Sequence, residues 1–256
     1  MIEEWRLIEL TINDAYMNMA IDEAILTMIQ KGESQNTIRF YRWNPSAVSI
    51  GYFQSLIEEV NIETCRKLNV DIVRRITGGG AVYHDYNGEI TYSVIASTNN
   101  PKIPGNILKS YSVLCNGIVL GLKKLGLNST FKPINDIVVN EKKISGNAQT
   151  RKLNAILQHG TILIDVNVEK MFNLLKISDE KIKDKMIKSA KERVTSIKKE
   201  LNKEVSFSEV AEALKNGFEE ALNIKLSLGK LTQEEKSLAE KLKKEKYSAK
   251  EWLYKR

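Results

Sequence analysis

The chain has 256 residues, 42% of them hydrophobic and 28% charged, with a formal net charge of +7 at pH 7. That length and balance fit a globular protein of one large domain, or of a domain with a small subdomain. The longest apolar runs fall far short of the roughly 20 residues that cross a bilayer. The N-terminus, Met1-Ile2-Glu3-Glu4-Trp5, lacks the basic-then-apolar order of a signal peptide, so a cytoplasmic protein with no membrane contact is expected.

Residues 7–10 read as an opening strand. Asn13 or Asp14 then caps a helix with the apolar face Met17, Ile21, Ala24, Ile25 and Met28, ended by Gly32. Residues 37–43 and 47–50 are strand-like and joined through Asn44-Pro45; a short helix over 62–68 leads to the apolar run Val70, Ile72, Val73. Arg74-Arg75-Ile76-Thr77-Gly78-Gly79-Gly80-Ala81-Val82-Tyr83-His84-Asp85 follows. Three consecutive glycines allow positive φ and let the backbone approach a ligand closely. With arginines before it and a His-Asp pair after it, this loop suits phosphate or carboxylate, although a tight turn with a solvated arginine pair has the same composition.

Residues 90–96 form another strand, and Ile107, Tyr111, Leu114, Ile118, Leu122 and Leu125 mark a long amphipathic helix ending at Gly126. Residues 135–149 read as a hairpin: strand 137–139, turn chemistry at Asn140-Glu141, and a return through Lys143 and Ile144. Residues 155–164 are a buried type of strand interrupted by Gln158-His159-Gly160, and polar residues inside apolar strands need partners or a purpose. From Val168 the chain turns helical and lysine-rich. Runs such as Ser178-Asp179-Glu180-Lys181 and Glu234-Glu235-Lys236 mix both signs, as solvated helix faces do, which argues against nucleic-acid binding. Val210, Leu214, Phe218 and Leu222 define one helix, with Ser206 or Ser208 as its cap; residues 224–228 form a strand and 232–246 a last helix. The expected fold is α+β, a mixed and mostly antiparallel sheet flanked by helices. Residues 1–256 form one domain, with a sheet-rich core over 1–165 and a helical part of the same domain over 166–256.

Three segments together resemble the lipoate–protein ligases, within the wider family of biotin–protein ligases and octanoyl transferases. The pattern Arg-Arg-x-Ser/Thr-Gly-Gly-Gly-x-Val-x-His-Asp matches Arg74 to Asp85. Asn-Asp-Ile/Leu and then Lys-Ile/Val-Ser-Gly-x-Ala match Asn135 to Ile137 and Lys143 to Ala148. His-Gly-Thr/Ser-Ile/Leu-Leu matches His159 to Leu163. The resemblance implies a class II synthetase-like catalytic domain. Its substrates would be lipoic acid and ATP with Mg²⁺, giving lipoyl-AMP and then a lipoyl-lysine on an acceptor domain.

On that resemblance Lys143 is the catalytic residue, its ammonium meeting the carboxylate, the α-phosphate and the leaving AMP. Strand alternation turns Lys142 the other way. Arg75, Thr77, Gly78, Gly79, Gly80, Ala81 and Val82 would hold the intermediate, together with Ser145, Gly146, Ala148, Gly160 and Thr161. Arg74 is expected to face solvent. His84 and Asp85 either join the site or brace the loop as a buried pair. Asn135 and Asp136 suit adenylate, and Asp136 suits Mg²⁺. His159 would shape an acyl channel lined by Val82, Val138 and Ile162. Implied partners are the lipoyl domains of 2-oxoacid dehydrogenase acyltransferase subunits and the glycine cleavage H protein, whose acidic surfaces a basic chain would attract. The chain stops near Trp252, where the catalytic domain of longer ligases ends, so a separately encoded accessory protein is expected to assist adenylation.

The nearest rival is octanoyl transfer from acyl carrier protein, which uses a cysteine nucleophile and no ATP. Such a thiol needs an accessible, electropositive setting. Cys65 and Cys115 both fall on apolar helix faces and read as core residues; two cysteines also cannot build a disulfide framework, which fits a reducing compartment. A non-catalytic binder of lipoate or adenylate would not need Lys143. Biotin as the acyl group fits the arginine–glycine motif less well than lipoate does.

Overall fold

The structure, a computed structural model, describes residues 2–176 and 180–256, and the side chains of all of these except 180–184. The mixed-sign run Ser178 to Lys181 therefore lies outside the described residues and side chains. A long strand, β1 (Glu3–Asn13), turns at Asp14 into α1 (Ala15–Lys31). The Asp14 carboxylate accepts the Met17 amide at 2.7 Å, filling one donor that a helix N-terminus leaves open, and Gly32 ends α1 in the left-handed region. Next come β2 (Thr37–Trp43), β3 (Ala47–Ile50), α2 (Leu56–Glu59), α3 (Ile62–Lys67), β4 (Asp71–Arg74), β5 (Val82–His84), β6 (Glu89–Ser97) and α4 (Ile107–Lys124). Four antiparallel strands follow: β7 (Ser129–Lys132), β8 (Asp136–Val139), β9 (Lys142–Lys152) and β10 (Ala155–Leu163). The remainder is α5 (Val168–Leu174), α6 (Glu180–Arg193), α7 (Ile197–Leu201), α8 (Phe207–Leu222), β11 (Ile224–Leu228), α9 (Gln233–Leu242), a π-helical turn at Lys243–Tyr247, and α10 (Lys250–Leu253).

The main sheet runs β11-β1-β2-β6-β10-β9-β8-β7, and a small sheet runs β4-β3-β5. Parallel pairing in the main sheet is confined to β1 with its neighbours β2 and β11; every other adjacent pair is antiparallel. The α+β reading with a mostly antiparallel sheet holds. The C-terminal part is more than helical, because β11 supplies the edge strand beside β1.

Strand alternation sorts the side chains of β6. Ile90, Tyr92, Val94 and Ala96 pack with Leu114, Ile118 and Leu122 of α4 and with Leu214 and Phe218 of α8. Burying each large apolar side chain contributes about 1.5–3 kcal/mol. The opposite face of the sheet carries Tyr41, Trp43, Ile95 and Leu157, packed under Ile21, Ala24 and Ile25 of α1. On β6 and β10 that face also carries Glu89, Thr91, Ser93, His159 and Thr161, all buried. A polar strip between a sheet and a helix layer survives only if its groups are paired. Among the described residues no helix is long and apolar enough to cross a membrane.

The two helices over the first face touch backbone to backbone. A Cβ on Gly217 would sit 2.3 Å from the Gly117 carbonyl oxygen and 2.4 Å from the Gly121 nitrogen. Gly217→Ala should therefore force α4 and α8 apart and cost roughly 1–3 kcal/mol. The check is a lowered urea midpoint at unchanged m-value; an unchanged midpoint would show that the helix pair is not held this closely.

Candidate active site

β4 ends in two arginines whose guanidinium groups have separate duties. Arg74 is fully buried and donates to the carbonyls of Gly51, Tyr52, Gln54, Trp252 and Leu253 at 2.7–3.2 Å. It does not face solvent, contrary to the expectation above: α10 covers it, and the Trp252 indole returns a bond to the Arg74 carbonyl at 2.8 Å. Arg75 donates from Nη2 to the carbonyls of Gly78 and Gly80 at 2.8 and 2.7 Å, from Nη1 to the Ser49 carbonyl at 3.0 Å, and from Nε to Thr77 at 3.1 Å. Burial lowers its pKa to about 10, which leaves it charged at neutral pH.

This clamp shapes the glycine loop. With the carbonyls of Gly78 and Gly80 drawn to Arg75, the amides of Gly78, Gly79, Gly80 and Ala81 make no hydrogen bond among the described residues. Gly79 has φ +93°, and its carbonyl passes 2.0 Å from where a Cβ on Gly51 would lie, so two glycines are needed where loop and β3 meet. Free amides in a fixed loop form a concave donor set for an anion.

A cavity of about 350 Å³ opens beside this loop, in the usual size range for ligand sites. Arg75, Gly79, Gly80, Ala81, Val82, His84, Asn135, Lys143, Gly146, Ala148, His159, Gly160 and Thr161 line it, so residues of all three matched segments share one cavity. Lys143, half-exposed, reaches Asp136 Oδ1 at 2.7 Å. Thr77, Gly78, Asp136 and Ser145 do not line the cavity, although Gly78, Asp136 and Ser145 each adjoin in sequence a residue that does. Val138 and Ile162 are also absent from its wall, and Ile162 packs into the core under α4 and α8. Asp136 is engaged by Lys143. No group of three His, Cys, Asp or Glu side chains that could hold a metal unaided occurs among the described residues; Mg²⁺ is more often held by one or two carboxylates together with the phosphates of a bound nucleotide.

The rear wall is a hydrogen-bonded chain. Arg39 Nη1 meets Asp22 Oδ1 at 2.7 Å, and Asp22 Oδ2 accepts from Ser93 at 2.7 Å and Tyr41 at 3.1 Å. Burial would raise the Asp22 pKa, but Arg39 and the bonds from His159 and Ser93 hold it below the usual carboxylate value. His159 Nδ1 lies 3.3 Å from Asp22 Oδ2, and its Nε2 lies 2.7 Å from the Thr77 hydroxyl. Desolvation lowers the His159 pKa, so at neutral pH the ring is uncharged. Ionised Asp22 only accepts, which puts the proton on Nδ1 and leaves Nε2 to accept from Thr77.

His84 is paired, but not with Asp85. Its Nδ1 lies 2.7 Å from Glu89 Oε1 and its Nε2 lies 2.8 Å from the Ser49 hydroxyl. Asp85 instead accepts from Tyr83 and from the Asn87 amide. Asn135 and Asn147 cross-link the approach to β8 with β9: the Asn135 side chain donates to the Asn147 carbonyl at 2.5 Å, and the Asn147 side chain returns a bond at 2.8 Å. Sequence reasoning missed Asp22, Arg39, Ser49, Glu89 and Asn147. The signal for Glu89 was polar residues at alternate positions of β6, whereas His159 was singled out as part of the Gln158-His159-Gly160 interruption of an apolar strand.

Residues 14–219 match the lipoyl protein ligase A/B catalytic domain family, and the chain belongs to it. At this level it is an enzyme of acyl transfer in protein lipoylation. The octanoyltransferase LipM of Brevibacillus brevis is 37% identical, with both chains covered in full. The bi-partite lipoate protein ligase of Thermoplasma acidophilum, studied with its E2 lipoyl domain, superposes with a TM-score of 0.90 at 36% identity, covering 98% of this chain and 96% of that one. A lipoate-protein ligase A solved with ATP bound gives 0.85 at 33% identity, covering 98% of each chain.

The folded chain keeps His159 neutral where the unfolded chain binds a proton below about pH 6.5. Stability linked to this group is complete above that pH and is lost as the pH falls below it. Asp22 also contributes, but its share is lost only below its unfolded pKa of about 3.9. Urea unfolding at about pH 7.5 and about pH 5 should show the loss in the native chain and a flatter profile in His159→Gln. Parallel profiles would mean that the ring is protonated in the folded state.

Proposed function

We propose that the chain joins lipoate to ATP, giving lipoyl-AMP and pyrophosphate, and then passes the lipoyl group to a lysine of a lipoyl domain. The observation that carries this reading is that Lys143 and the unbonded amides of the glycine loop line one cavity. Lipoate carboxylate and α-phosphate are both anionic, so their union needs a cation and fixed donors in place beforehand. In the second step the acceptor ε-amine attacks the lipoyl carbonyl, the bond to AMP breaks, and Lys143 meets the charge on the departing phosphate. Residues 1–256 would act as one catalytic unit, and ATP would bring its own Mg²⁺. Likeness to a bi-partite ligase supports a second polypeptide that assists activation. The E2 lipoyl domain named with that ligase supports lipoyl domains of 2-oxoacid dehydrogenases as acceptors, with the glycine cleavage H protein a further candidate.

A second reading, octanoyl transfer from an acyl carrier without ATP, is favoured by the names of the curated relatives. Against a cysteine route in this chain, both thiols are fully buried, and desolvation pushes Cys65 up to about 11 and Cys115 up to about 12. Neither lines the cavity, and thiolate chemistry needs access and a lowered pKa.

Incubation with lipoate, Mg-ATP and a lipoyl domain should add one lipoyl group to the domain, read by mass. Lys143→Ala should slow this by about 10²-fold or more while leaving the fold intact, because the side chain is half-exposed. Modification only when lipoyl-AMP is supplied would place activation on the second polypeptide. Octanoyl transfer from the carrier protein, with no use of lipoate or lipoyl-AMP, would overturn the ligase reading.

A further inference from the structure

Ser49 is a buried hydroxyl on the cavity wall that the ligase reaction does not use. Its Oγ lies 2.8 Å from His84 Nε2, and His84 Nδ1 lies 2.7 Å from Glu89 Oε1. Glu89 as a carboxylate only accepts, so Nδ1 carries the proton and Nε2 offers its lone pair to the serine. Several contacts fix the ring. Trp43 stacks on His84 with centroids 4.0 Å apart; its indole N–H donates to Thr91 Oγ1 at 2.7 Å, and Thr91 donates to Glu89 Oε1 at 2.8 Å. Arg75 Nη1 donates to Ser49 Oγ at 3.2 Å and so places a cation beside the atom that would become anionic. A nucleophile in reach of a base, itself oriented by a carboxylate, is the constellation of covalent acyl transfer.

We propose that Ser49, His84 and Glu89 form a nucleophilic triad that accepts a medium-chain acyl group from a thioester, without ATP, as a serine ester. Ser49 Oγ bonds to the acyl carbon while its proton passes to His84 Nε2. The C–S bond then breaks, and the departing thiolate takes that proton. The amine of an acceptor lysine attacks the ester carbon and gives a proton to His84. His84 returns it to Ser49 Oγ as the C–O bond breaks and the amide is complete. The free loop amides are the donors available for the oxyanion in both halves, since all five Arg75 N–H groups are already engaged. This inference deepens the second reading above and rests on it; the ATP route through Lys143 is independent of it.

The test mixes the purified chain with octanoyl-pantetheine, without ATP, followed by an acid quench, intact mass and peptide mapping. The expected result is one octanoyl group on Ser49, absent in Ser49→Ala and formed about 10²-fold more slowly or worse in His84→Gln. Ser49→Cys should restore the adduct as a thioester that neutral hydroxylamine removes. Thermal unfolding of Ser49→Ala checks its fold, and the cysteine variant decides the question if the alanine variant does not fold. No adduct on the native chain, an adduct on a lysine or on Cys65 or Cys115, or an adduct unchanged in Ser49→Ala would overturn the proposal. ATP-dependent lipoylation is measured in parallel on the native chain, so ligation without acylation and acylation without ligation are separate outcomes.

Discussion

Everything at the cavity mouth depends on one buried cation. Arg75 lies under the glycine loop and takes the carbonyls of Gly78 and Gly80, the carbonyl and hydroxyl of Ser49, and the Thr77 hydroxyl. Without it, three glycines in a row would have more freedom than any other tripeptide, and their amides would have no fixed direction. A guanidinium suits the task because its planar fork of donors can hold several carbonyls at once, which a lysine ammonium cannot do with the same geometry. The adjacent Arg74 performs the corresponding job for the C-terminus, tying the carbonyls of Trp252 and Leu253 to the loop after β3. The Arg-Arg pair is thus a pair of backbone clamps, whereas Lys143, half-exposed, lines the cavity itself.

Burying that cation is costly unless its partners are complete and themselves held in place. The chain of bonds running from Arg39 through Asp22, His159 and Thr77 to Arg75 supplies this. Its polarity is set at one end, where ionised Asp22 leaves no choice of tautomer for His159. Thr77 must then donate to His159 and accept from Arg75. Each link forms in one direction only, so loop conformation is coupled to helix α1 and to β2 through side chains alone. Such preorganised donors incur little reorganisation when charge develops in a bound ligand.

Much of the fold was legible because local signals agreed with it. The Asp14 and Gly32 caps, the 3.6-residue periodicity from Ile107 to Leu122 and the Asn140-Glu141 turn each had a mechanism readable in isolation. The pairing of β11 with β1 had no local signal, since parallel neighbours more than two hundred residues apart leave no turn between them. The convergence of the three motif segments was legible through resemblance. The duties of individual residues within them were not. Arg74 looked exposed because its burial comes from α10, at the other end of the chain. His84 looked paired with Asp85 because they are adjacent, whereas strand geometry turns His84 toward Ser49 and Glu89. Asp22 carries no motif signature at all; its role exists only once α1 lies across the polar face of β6 and β10.

The two acyl chemistries named among the relatives differ less than their names suggest. Both end with a lysine amine attacking an acyl carbon attached to a good leaving group. They differ only in how that carbon becomes activated. Activation by ATP brings two anions together, which demands cations and free amides but no nucleophile from the protein. Activation from a thioester starts from a neutral carbonyl, which demands a nucleophile with its base but no cation for a triphosphate. In this chain the first set, Lys143 and the glycine-loop amides, and the second, Ser49 with His84 and Glu89, line one cavity and share Arg75 as the support for both. The buried thiols take no part in either set. On the readings proposed above, one clamped loop would support either source of acyl group, because neither set of residues asks Arg75 to do more than hold the loop and Ser49 in place.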